Sequence, residues 1–351
     1  MKNQVLRKAL VLLSLVVIAT LVAQAVAQPA QQGQGQGQRP GSMGIYGDWN
    51  IETQYGERTM NSILSFSRDR QSRELTGAWI SFFGVTELKD VKFEDNALTF
   101  NQTVRFGDQE NTSQFSGKLE EGKLTGTLKS DRGEGKVTGQ RAQRAPRAVG
   151  SWEMKIKAGE REFTGTLVIA ADKEGTLSGK WKSTRGETEL KDLTYQRGQI
   201  SFKRTFNAGA DQRESTFEGT IEGNTMTGVF KSDRGESQGT GELIGSAAIG
   251  RWDLEIASDQ GARKQRLTIN PDMSGMYGAM PVEKITLEGD ELSFEITLTF
   301  GEREFKTSLK GKIADGKLTG ELTTSRGTQK VTGEKVIRTF NRANRPTPAN
   351  N

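Results

Sequence analysis

The chain has 351 residues, with 49 lysines and arginines against 44 aspartates and glutamates and a formal net charge of +5. It contains no cysteine and no histidine, which excludes a disulfide framework, a Ser-His-Asp triad, a thiolate nucleophile, an imidazole proton shuttle and the usual zinc site. Three of the positive charges fall within residues 1–27, so the remainder is nearly neutral, at 46 basic against 44 acidic groups, and no nucleic-acid partner is expected.

The chain opens with Lys2, Arg7 and Lys8 before an apolar run from Ala9 to Val22, and Ala25-Val26-Ala27 fits a small-residue cleavage site. Residues 1–27 therefore read as a signal peptide, and the protein as exported to the periplasm or beyond. No cysteine follows the cleavage site, which closes the bacterial lipoprotein route, and no membrane-spanning segment is expected after cleavage. Residues 28–43 form a Gln/Gly-rich leader without apolar periodicity, expected to be disordered.

From there the chain repeats itself. Gly-x-Trp occurs at Gly47, Gly150 and Gly250, and ELKDV from Glu87 matches ELKDL from Glu189. The expected organisation is one repeat over 44–141, a linker over 142–147, a second repeat over 148–244, a third over 245–337, and a disordered tail over 338–351. Inside each repeat the apolar residues alternate with polar ones. Trp49 and Ile51, Trp152, Met154 and Ile156, and Trp252, Leu254 and Ile256 share one face of their strands. Glycines such as Gly126, Gly228 and Gly320 hold inward positions between apolar neighbours, where they let a strand bend and let opposite walls approach. The expectation is an all-β fold of three tandem antiparallel meander barrels with about eight strands each, whose closure hides the sheet edges.

The opening Gly-x-Trp, together with LTGAW ending at Trp79, LSGKW ending at Trp181 and MSGMY ending at Tyr277, resembles the calycin group of lipocalin-like and avidin-like barrels. The repeats are also similar to β-domains of secreted bacterial proteins, some of which stand beside hydrolase domains. The lipocalin resemblance implies a cation over the first-strand tryptophan, which pairs Trp49 with Arg141 and Trp252 with Lys335. Repeat two departs, because Leu243 stands at that position.

KSDRGE occurs from Lys129 and again from Lys231, with relatives at Ser183 and Thr323. Its spacing from the preceding inward glycine recurs at Gly77 to Gly84, where the intervening residues are WISFF, so the motif reads as a hairpin turn. The same turns leave Arg132, Arg234 and Arg326 at one end of each barrel, as a candidate anion-facing row. Trp79, Trp181 and Tyr277 are candidates for stacking on a ligand inside or at the mouth of a barrel, or else fill the core. Phe82 and Phe83 replace the polar residues of the related turns, and are expected to contact a partner or a neighbouring repeat. No catalytic or metal-binding residue and no cofactor is expected. Paired acids such as Glu187 and Glu189 fall on outward positions among lysines, unlike the opposed carboxyls of a glycosidase.

The function expected is that of an exported, non-enzymatic binding or interaction module, with a small ligand, a glycan or another exported protein as partner. The alternatives are a carrier of small apolar molecules inside the barrels, and an extracellular polysaccharide-active hydrolase or its accessory module.

Overall fold

The computed structural model describes residues 44–336 apart from 70, 107–108, 132, 209–210, 259–260 and 301–302. The expected signal peptide, leader and tail, and Arg132, lie outside the described residues. The described chain is all-β and forms three antiparallel sheets.

Barrel one is a closed meander of β1 (Gly47–Tyr55), β2 (Arg58–Arg68), β3 (Leu75–Ser81), β4 (Gly84–Glu94), β5 (Ala97–Phe106), β6 (Gln109–Glu120), β7 (Lys123–Ser130) and β8 (Gly133–Arg141). Barrel two comprises β9 (Gly150–Ala158), β10 (Arg161–Ala171), β11 (Leu177–Ser183), β12 (Gly186–Glu189), β13 (Lys191–Gln196), β14 (Gln199–Ala208), β15 (Asp211–Glu222), β16 (Thr225–Ser232) and β17 (Gly235–Leu243). Barrel three comprises β18 (Gly250–Ile256), β19 (Arg263–Ile269), β20 (Gly275–Tyr277), β21 (Met280–Val282), β22 (Ile285–Glu288), β23 (Glu291–Phe300), β24 (Arg303–Ala314), β25 (Lys317–Thr324) and β26 (Gly327–Lys335).

In each, the last strand returns to pair with the first, as in Trp49 opposite Arg141, Trp152 opposite Leu243 and Trp252 opposite Lys335. Among the described residues only barrel one is closed by strand pairing throughout. Barrels two and three are near-barrels, nine-stranded sheets with an unpaired break between β12 and β13 and between β21 and β22, where β4 of barrel one only bends. That bend is a register shift between Lys89 and Lys92, while in barrel two the ladder breaks at Leu190, between β12 and β13. ELKD is the cause in both, because Asp90 and Asp192 adopt positive φ of 53° and 52°, a conformation aspartate tolerates better than most residues.

The interior of each barrel is filled by the apolar half of the alternation. At one end Trp49, Trp152 and Trp252 are fully buried, and each donates its indole N–H to the carbonyl four residues earlier, of Ile45, Ala148 and Ala248, at 2.7–2.9 Å. The cation expected from the lipocalin resemblance is present in barrels one and three. The Arg141 guanidinium lies 4.5 Å from the Trp49 ring centre and donates to the Tyr46 and Gly44 carbonyls. Lys335 lies 5.9 Å from the Trp252 ring and donates to the Ser246 and Ala247 carbonyls, both at 2.8 Å. Barrel two closes the same end with the apolar Leu243.

The KSDRGE family forms hairpin turns. Ser183, Ser232 and Thr324 each accept from the backbone N–H two residues on, at 3.2–3.3 Å, and Ser81 does the same for Phe83 at 3.1 Å. The following glycines, Gly84, Gly133, Gly186, Gly235 and Gly327, take φ from 108° to 139°, which a side chain would oppose.

Barrels one and three pack directly on each other. Six residues intervene between the paired Trp79 and Thr86, and six between Trp181 and Thr188, but only two between Tyr277 and Met280. Barrel three therefore lacks the tip of one hairpin, and the WISFFG hairpin of barrel one fills the notch. Phe82 packs against the core of barrel three, and Gln265 donates to the Ser81 and Phe82 carbonyls, each at 3.1 Å. Beside it, Ile63, Ile80 and Val85 form one apolar cluster with Ala279 and Met276. The corresponding outward positions of barrel two are Thr166, Lys182 and Glu187, so the apolar face is particular to the barrel that docks. Arg266, almost fully buried, reaches the Asp48 carboxylate at 3.6 Å across the interface.

Candidate functional site

The three aromatic candidates of the later Gly-x-aromatic segments point inward. Trp79 is 6% exposed and lies 6.2 Å from Phe100, Trp181 is 5% exposed and lies 5.9 Å from Phe230, and Tyr277 is 1% exposed beside Phe294. Along the barrel axes, Phe100 stacks on Phe115 at 4.7 Å, and Phe202 on Phe217 at 5.0 Å. Phe82 is half-buried in the interface with barrel three. Phe83 is 48% exposed beside it. Arg234 and Arg326 are exposed at corresponding hairpins of barrels two and three.

Burial pushes the Tyr277 phenol up to about 12, and the nearby Arg263 guanidinium pulls it the other way. A folded-state value above the unfolded one near 10 means that the phenol's contribution to stability is intact below about pH 10 and is lost as the pH climbs to about 12. Tyr277→Phe is therefore expected to flatten the alkaline limb. Across that window the natural protein should lose about 2 kcal/mol of denaturant-measured stability relative to the variant. Parallel pH profiles for the two proteins would contradict this.

The ends away from the tryptophan lids differ most among the barrels, and barrel two stands apart. On β14 the inward positions run Ile200, Phe202, Arg204 and Phe206, placing a guanidinium on the buried face of a strand. The Arg204 guanidinium carbon lies 4.0 Å from the Trp181 ring centre, 4.8 Å from Phe230 and 5.6 Å from Phe206. Its Nε donates to Ser215 Oγ at 3.4 Å, and burial lowers its pKa from the usual arginine value to about 10. Phe163 on β10, opposite Ile156 and so on the inward face, opens to solvent at this end with 46% exposure. Arg213, inward on β15 opposite Phe206, is ion-paired with Asp233 of the neighbouring turn.

The paired acids stand elsewhere. Glu187 and Glu189 are both on the outer surface of barrel two and both ion-pair with Lys180, at 2.9 and 3.0 Å. The Lys180 hydrogen bond holds the Glu187 carboxyl below the usual carboxylate range, the opposite of the raised value a general acid needs.

Sequence reasoning passed over Arg204 and Phe163, although both carried a signal. SFKRTF places a charge where the alternation demands an apolar residue, and REFTGTL places a phenylalanine at the inward end of its strand.

No protein-family model and no curated protein matches the chain. Among solved structures, the chain is similar to transferrin binding protein B of Haemophilus parasuis, at 12% identity over 83% of this chain and 76% of that one, with a TM-score of 0.20. It is also similar to isotype 1 transferrin binding protein B from serogroup B Neisseria meningitidis, at 11% identity over 83% and 75% with a TM-score of 0.19. A candidate outer membrane protein of Bacteroides fragilis matches at 14% identity over 53% of this chain and 97% of that one, with a TM-score of 0.22. At these scores the likenesses carry no inference about this chain.

Proposed function

We propose that the protein is an exported, non-enzymatic binding module that takes its ligand at the open end of barrel two. The observation that carries this reading is the mouth itself. Phe163 and Phe206 present ring surface there, above an inward arginine, on a rigid β-frame. Ring surface left in water beside an inward cation favours a ligand with an apolar face.

A carrier that encloses its cargo is less favoured, because the axis of barrel two is occupied by Phe202, Phe217 and Phe230 in mutual ring contact at 4.6–6.1 Å. A glycosidase is less favoured because Glu187 and Glu189 share one lysine on an outer face. The three basic residues Lys2, Arg7 and Lys8 before the apolar run from Ala9 to Val22 support export.

Naphthoate titrated into the full chain and followed by amide NMR should perturb the segments around Phe163, Trp181 and Phe206. The corresponding segments of barrels one and three should stay in place. Phe163→Ala should weaken binding about fivefold, the effect of losing part of one ring contact. Perturbations spread evenly over the three barrels, or an unchanged affinity in the variant, would remove the basis for this assignment.

A further inference from the structure

We propose that Arg204 is the anion-recognising residue of this mouth, and that the ligand it selects is a monoanionic carboxylate carried on an apolar body. The inference rests on the binding reading above and adds the charge and shape of the ligand to it.

The corresponding positions of the other barrels show that the fold does not require a cation. Gln102 of barrel one stands opposite Ser113, Arg204 opposite Ser215, and Ile296 of barrel three opposite Thr307. A glutamine and an isoleucine fill this place in frames of the same topology. Putting a guanidinium there costs desolvation, which an ion pair would offset. Among the described residues no carboxylate comes within ion-pair distance of Arg204; its protein partners are Ser215 and three aromatic rings.

The rings attract the cation but accept no conventional hydrogen bond, and Ser215 takes only the Nε proton. Among the described residues none accepts from the four N–H groups on the two terminal nitrogens, which leaves them for an acceptor from outside. Their planar fork matches two coplanar oxygens, as in a carboxylate.

The charge count favours one negative charge over two. Arg213, inward on the neighbouring strand, is already neutralised by Asp233, and Arg161, on the inward register of β10, is exposed to solvent at the rim. A dianionic phosphate would leave one charge uncompensated beside Phe163 and Phe206, whereas a carboxylate balances Arg204 and leaves its apolar body to those rings. Barrel one, with Gln102, and barrel three, with Ile296, hold no such cation at this position.

The test compares naphthoate with naphthylmethanol, which keeps the ring and removes the charge, by calorimetry on the full chain. The natural protein should bind naphthoate about ten- to a hundredfold more tightly than the alcohol, the range expected of hydrogen bonds to a charged acceptor. Arg204→Gln, the residue barrel one uses, should abolish that preference while leaving alcohol binding within about twofold. Arg204→Lys should keep a reduced preference, since the charge remains and the fork is lost. Thermal unfolding of each variant identifies any that fails to fold, and Arg204→Ile, the barrel-three residue, then replaces it. Equal binding of acid and alcohol, insensitive to Arg204, overturns the assignment and leaves the mouth as a neutral apolar site. Failure of both probes to bind overturns the binding reading and this inference together.

Discussion

Replacing Phe82 with aspartate should cost at least about 3 kcal/mol and split the unfolding of barrels one and three into separate transitions. Phe82 packs against the main core cluster of barrel three, which includes Tyr277 and Met280 on either side of the shortened turn. A carboxylate placed there loses the ring's contacts and must also be desolvated, protonated or drawn out of the notch. Any of these outcomes undocks the hairpin. The Gln265 bonds to Ser81 and Phe82 would then open to water, as would the cluster of Ile63, Ile80 and Ala279. Phe82→Leu should retain most of the stability, and Phe83→Asp, at a half-exposed position, should cost less than Phe82→Asp. Urea unfolding with hydrogen exchange resolved by barrel would read this directly. A single unshifted transition in Phe82→Asp would show that the hairpin is not what joins the two barrels.

Gly320→Ala should be of similar size, about 3 kcal/mol, although it adds a single methyl group. Gly320 lies directly opposite Gly311 in the antiparallel pair of β24 and β25. A Cβ at Gly320 would sit 2.2 Å from the Lys310 carbonyl oxygen and 2.5 Å from the Gly311 Cα. Both obstacles are backbone, so no rotamer change relieves them, and the two strands must separate or slip. The matching pairs in barrels one and two are Gly117 with Gly126 and Gly219 with Gly228, with first contacts of 2.4–2.5 Å. By contrast Gly223, in a turn with open space around it, should tolerate alanine at the modest cost of its φ of 59°. Differential calorimetry on Gly320→Ala and Gly223→Ala would test the contrast. Equal losses would refute the account of strand approach.

The parts of this fold that were legible in the sequence are those set by local repetition. Period-two alternation located the strands, the inward glycines indicated the closure seen in full in barrel one, and the spacing from Gly228 to Gly235 identified a turn. The tryptophan lids, with a cation in barrels one and three and Leu243 in barrel two, also followed from the repeat and the resemblance it carries.

Contact of the WISFF turn with another repeat was one of the readings, but which repeat would receive it could not be read. WISFF was visible as a departure, and so was the missing hairpin tip after Tyr277. They lie in different repeats, however, and nothing in one-dimensional order says that one is the complement of the other. Ile63, Ile80 and Val85 would have strengthened the case, because they are apolar on an outward face where barrel two carries Thr166, Lys182 and Glu187. Arg204 was missed for a different reason. Alignment by matching residues draws attention to what the repeats share, and the mouth of barrel two is defined by what they do not.

The notch in barrel three also bears on how the chain reaches its folded state. The bond from Gln265 to the Phe82 carbonyl joins residues 183 apart, so all of barrel two lies within the loop it closes. Barrel one emerges first and can complete its own ladder from neighbouring strands, but its WISFFG hairpin waits in water until β19 and β20 exist. Docking is thus a late event with a large loop-closure entropy, and until it occurs an apolar face of one barrel and a short wall of another are both uncovered. An interval of vulnerability is built into the order of synthesis, and its length is set by how quickly the middle barrel folds.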